Sequence, residues 1–262
     1  MERKPFSELT ITDESSFDHV GLYADLRAVA KDASLSFLVG APSQTAGVSR
    51  TVLLNLLFWE PGTSDILSEA QIPADVVMHV VWHHLGAKRV GHGGDADLFV
   101  EAIASAFDVY LVGRLLGHRP DAEFLESQVP RMADAAADAG VSAEAFEEML
   151  ERIANAPEVA FESTRRLLFD ATRALVGLTS PREADATLRE FEAQPFGPLL
   201  HHFEIATWVL RARLDLAKGG AMAASATAEA ERIDGLLRRE AVSLDWLEQQ
   251  WVRDRTASGR SA

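Results

Sequence analysis

Asp75, His79 and His83 stand four residues apart in the segment PADVVMHVVWHHLG. In a helix that spacing stacks all three side chains on one face. The remainder of the segment, with Val76, Val77, Met78, Val80, Val81, Trp82 and Leu85, is apolar in almost every direction. Such a helix belongs inside a bundle, and its polar groups then need partners. The next segment, ADLFVEAIASAFDVYLVGRLLG, carries a narrow line of Asp97, Glu101, Ser105 and Asp108 on an otherwise apolar rod. A short loop around Gly91 to Gly94 folds the two segments back antiparallel, which sets His83 level with Glu101, His79 with Ser105 and Asp75 with Asp108.

Neutral imidazole and carboxylate are donor types that suit iron, manganese and zinc, and facing helices of a bundle are where such ions are held. The expected ligands are His79, His83 and Glu101, with Asp75 or Asp108 as a neighbouring acid or general base. His92, in the turn GHGGDAD, would add a ligand from the rim. An ion held this way with an open position activates water or dioxygen, so the expected chemistry is that of a metal-dependent oxidoreductase or hydrolase acting on a small molecule.

Three other readings compete with this one. Histidine and carboxylate also pair as plain structural hydrogen bonds, and the HExxH signature of helical zinc proteases is absent because position 80 is Val. A non-enzymatic interaction or regulatory protein would use the seam Met222, Ala226, Ala230, Ile233 and Leu237, with Trp246 and Trp251 beyond it, as a homodimer or partner surface. A carrier or sensor of an apolar ligand would place a cavity near Trp82, Phe107 and Tyr110. A second polar cluster, His201, Glu204, Trp208 and Arg211, shares one face of PLLHHFEIATW and reads either as a further ligand source or as a partly exposed polar face. Glu162, Arg166, Asp170 and Arg173 form a ladder of opposite charges at helical spacing, the pattern of a solvated face worth tenths of a kcal/mol per pair.

The elements that must position these residues are nearly all helical. Helices are predicted from about Ser16 to Lys31, from Pro73 to near Gly86, and from Asp95 to Leu116, while SLSFLVGAPSQTAGVSRTVLLNLLFWEPG fits either two strands or a loop followed by a helix, the latter reading placing it over Val48 to Phe58. Others open at Pro120 and close at Gly140 with a kink or split at Pro130, run from the N-cap Ser142 to Asn155, and span Glu158 to Val176. Ser180, Pro181 and Glu183 supply an N-cap, a first-turn proline and a capping-box acid in order. Helices over Pro198 to Ala217 and Met222 to Ala241 follow, then an amphipathic turn around Leu244, Leu247 and Trp251. Phe6 to Thr12 reads as a short strand or arm. The expected architecture is an all-α bundle of roughly nine helices: an arm over residues 1–13, one helical domain over 14–252 and a disordered tail over 253–262.

Composition narrows the function classes. The 262 residues include no cysteine, which removes disulfides, thiolate metal sites and thiol nucleophiles. A net charge of -15 without a basic stripe argues against nucleic acid. No apolar run is long enough to cross a bilayer, and MERKPFSELTITDE has no stretch resembling a secretory signal, so a cytoplasmic protein is expected. The scarcity of lysine beside abundant arginine and alanine suggests a bacterial genome rich in G and C. Phosphate loops of the Walker type, dinucleotide fingerprints, G-x-S-x-G elbows and the paired E-x-x-H of di-iron bundles are all missing.

Overall fold

The computed structural model describes residues 1–40, 66–218 and 221–254. It divides into two units, Met1–His84 and Leu85–Ala262. The chain is predominantly α-helical, as its periodicity predicts, with a few short strands near the N-terminus. The helix predicted over residues 48–58 and the end of the predicted tail lie outside the described residues. Among the described residues no helix is long and apolar enough to cross a membrane.

In the first unit, β1 (Glu2–Pro5), β2 (Thr10–Thr12), β3 (Ser36–Val39), β4 (Ile66–Leu67) and β5 (Gln71–Pro73) form two small sheets. β3 pairs antiparallel with β1 and parallel with β4, while β2 pairs parallel with β5 and sets Ile11 opposite Ile72. Alternation in SFLV turns Phe37 and Val39 inward, 1% and 6% exposed. The predicted first helix is shorter than expected: α1 spans Gly21–Asp32, and a 3-10 turn at Glu14–Phe17 precedes it. Phe17, Val20, Leu22, Leu26 and Val29 are nevertheless all buried.

The division between the units falls inside one continuous helix, α2 (Ala74–Arg89). Sequence reading ends this helix near Gly86, but it continues to Arg89. The glycine is there for packing and not for termination. A Cβ at Gly86 would overlap both methyl groups of Val100.

The second unit is built around α3 (Asp95–Leu116), whose bounds match the prediction and whose residues are buried on nearly every side. Around it lie α4 (Glu123–Asp138), α5 (Ala143–Asn155), α6 (Pro157–Val176), α8 (His202–Lys218) and α9 (Ala221–Leu237), with α7 (Pro181–Glu192) and α10 (Ser243–Leu247) against α6. Phe99 of α3 meets Phe169 of α6 edge-on, with ring centroids 5.1 Å apart. A Cβ on Gly113 would come 2.5 Å from the Ile153 carbonyl oxygen, so α3 and the α5–α6 junction approach to backbone distance. Ser142 and Ser180 accept from the backbone N–H of Ala145 and Glu183, the two N-caps read from sequence. Pro130 does not split α4; both it and Glu126, whose carbonyl it leaves without an N–H, are exposed to water. The seam of α9 buries Ala226, Ala230, Ile233 and Leu237, and the helix packs on α3 of its own chain. Trp251 lies in the π-helical turn Glu248–Arg253 and is 1% exposed.

Two arginines tie these helices together. Arg213 of α8 donates to the carbonyls of Leu175 (2.6 Å), Val176 (2.9 Å) and Leu178, the backbone acceptors at the end of α6. Arg165 of α6 is completely buried. Its Nε and Nη2 each donate to Glu162 at 2.9 Å and its Nη1 to Asp234 of α9 at 2.7 Å. Arg238 bridges Asp234 and Asp170 at 2.7 and 2.6 Å, while Ser243 and Arg166 also donate to Glu162. Burial alone would raise the Glu162 pKa, but the hydrogen bonds and charge of Arg165, with Ser243 and Arg166, hold it below the ordinary 4.5. The predicted solvated ladder thus needs correction. Glu162 and Asp170 belong to a network centred on a buried arginine that the ladder omits.

Candidate metal centre

α2 is helical from its first residue past His83, so Asp75, His79 and His83 fall on one face as their spacing requires. His79 is 7% exposed and His83 is half-buried. Their rings lie 5.0 Å apart at 41°, and the two Nε2 atoms face each other at 3.3 Å. Glu101, nearly two turns into α3, is 1% exposed. One donor atom from each of His79, His83 and Glu101 lies within 4.8 Å of the other two.

The separation of the two nitrogens can be compared with what an ion requires. Two imidazole nitrogens about 2.0–2.1 Å from a tetrahedral ion stand about 3.3–3.4 Å apart. The observed 3.3 Å matches that spacing and is longer than the usual ~2.9–3.0 Å of an N–H hydrogen bond. Two neutral nitrogens and one carboxylate oxygen form a donor set for iron, manganese or zinc that leaves a coordination position for water or substrate. Ser105 Oγ, one turn further along α3, donates to Glu101 Oε1 at 3.1 Å and fixes the orientation of the carboxylate. Sequence reading placed Ser105 on this face but opposite His79.

Other predicted site residues stand outside this three-residue group. Asp75 occupies the first turn of α2 and Asp108 lies nearly two turns beyond Glu101 on α3, both half-buried. His92 turns to Asp97, with Nδ1 3.4 Å from Oδ1, while the other Asp97 oxygen accepts from the Gly93 N–H at 2.7 Å. The hydrogen bond to Asp97 raises the His92 pKa above 6.5, against the opposing effect of burial. In the second predicted cluster, Glu204 pairs with Arg131 at 2.7 Å, Arg211 with Asp215 at 3.4 Å, and Trp208 is 6% exposed. The neighbouring His202 pairs with Glu192 at 2.7 Å. Among the described residues that helix face holds no metal-ligand group. Trp82 and Phe107 are completely buried and Tyr110 is 6% exposed, the last two rings stacked 5.2 Å apart.

No family model, curated protein or solved structure matches the chain.

Proposed function

We propose that His79, His83 and Glu101 bind a divalent iron, manganese or zinc ion and that the protein is a metal-dependent oxidoreductase or hydrolase acting on a small molecule. The observation that carries the reading is the pair of Nε2 atoms 3.3 Å apart with the buried Glu101 carboxylate in reach of both. A carboxylate taken out of water is costly unless charge or hydrogen bonds offset it, and a bound cation does so strongly. The ion would supply Lewis acidity and, on water, a nucleophile near neutral pH. His79, His83 and Glu101 hold it, Ser105 orients Glu101, and Asp75 or Asp108 moves protons from its place further along the two ligand-bearing helices.

Elemental analysis of protein purified without chelator tests the reading. Near-stoichiometric metal is expected, falling to background in the His79→Ala, His83→Ala double variant. Zinc would direct attention to hydrolysis, and iron or manganese to oxygen-dependent chemistry. Protein that contains no metal and takes up none when it is supplied would refute the proposal.

A further inference from the structure

Serine inside a helix commonly turns its hydroxyl back to a backbone carbonyl of the preceding turn. The structure contains such a case for threonine: Thr172 of α6 donates to the carbonyl of Leu168 at 2.7 Å. Ser105 is different. Its Oγ donates at 3.1 Å to a carboxylate oxygen of Glu101, on the same helix and one turn earlier. Donor and acceptor therefore share one rigid element, and the geometry does not depend on how any other helix is placed.

We infer that Ser105 is a positioning residue that makes Glu101 a one-oxygen ligand and so keeps a coordination position open on the ion. This inference rests on the metal reading above. A carboxylate can bind a cation through one oxygen or both. A hydroxyl donating to Oε1 draws on that oxygen's lone pair and negative charge, and it turns Oε2 toward the ion. Two imidazoles and one oxygen then give three protein donors, the pattern of ions that keep an exchangeable fourth ligand; two imidazoles and both oxygens would give four and close the site. Ser105 is half-buried and Glu101 almost wholly so, surroundings in which a hydrogen bond to a charged group is strengthened.

The test uses the full chain loaded with Co2+ and titrated with azide, a small anion that enters only an open position and shifts the visible Co2+ bands. Wild type, Ser105→Ala and Ser105→Thr are compared after equal Co2+ occupancy has been verified. The alanine variant is expected to bind Co2+ yet to require about tenfold more azide, or more, for the same spectral shift. Threonine retains the hydroxyl and is expected to restore the wild-type response. A serine that merely supports the helix would leave the azide titration unchanged. Equal azide affinity in wild type and Ser105→Ala, or a threonine variant that behaves like alanine, would overturn the inference while leaving the metal reading intact. Failure of wild type to bind Co2+ at all would instead remove the metal reading and this inference with it.

Discussion

Replacing Asp234 with Asn changes one charge in the Arg165 network at nearly constant volume, so no cavity complicates the result. Each Asp234 oxygen serves a different arginine: Oδ1 accepts from Arg165 Nη1 and Oδ2 from Arg238 Nε, both at 2.7 Å. An asparagine keeps one acceptor and turns an NH2 group toward the other guanidinium, setting donor against donor. Removing one partner from a buried ion pair costs about 3–5 kcal/mol, against about 0–1 kcal/mol for an exposed pair. Arg165 is 0% and Asp234 8% exposed, which selects the first range. Arg165 retains two bonds to Glu162, which selects its lower end, about 3 kcal/mol. At about 2–4 °C per kcal/mol for a unit of this size, the thermal midpoint should fall by about 6–12 °C. Far-UV circular dichroism in heat and urea measures it, with Glu231→Gln as the control. That residue pairs with Arg173 where both side chains are well exposed, and its loss is expected to cost under about 1 kcal/mol. An Asp234→Asn loss no larger than the control's would refute the argument and return these charges to a solvated face.

Gly86→Ala places a methyl group against the branched Val100 side chain, and overpacking of this kind costs about 1–3 kcal/mol, so the thermal midpoint should fall. Unchanged stability in that variant would contradict the packing role. His92 should titrate above 6.5 by NMR, and Asp97→Asn should lower its midpoint. With a folded pKa above the unfolded one, the stabilisation from His92 is complete below pH 6.5 and is lost as pH rises through the folded value, and in Asp97→Asn this pH-dependent loss should shrink. An unchanged His92 midpoint in Asp97→Asn would show that the Asp97 contact does not govern it.

What could be read in advance was local. The shared face of His79 and His83 follows from their i, i+4 spacing alone. The bounds of α3 were legible because glycine brackets an apolar run at both ends. Of the strands, the one expected within Phe6 to Thr12 is found as β2, whereas β1 finds its partner β3 more than thirty residues away and each strand is too short to declare a period. The arginine network was misread for a related reason. Asp234 comes from α9 and Arg238 from the turn just after it, some seventy residues beyond Arg165. The available signal was Arg165 itself, a charge standing beside the buried stripe of Phe161, Thr164, Leu168, Ala171 and Leu175. Gly86 shows the other limit, because a terminating glycine and a close-packing glycine look alike until the neighbouring helix is in place.

Arg213 reinforces the end of α6 from a different helix, binding the Val176 carbonyl and adding to the local N–H contacts of the Leu175 carbonyl. The last turn of α6 is therefore not an autonomous end that frays by itself. Its amides become as protected from solvent exchange as α8 is folded, and loosening α8 releases them together. A single side chain thus joins two helices remote in sequence into one cooperative opening unit.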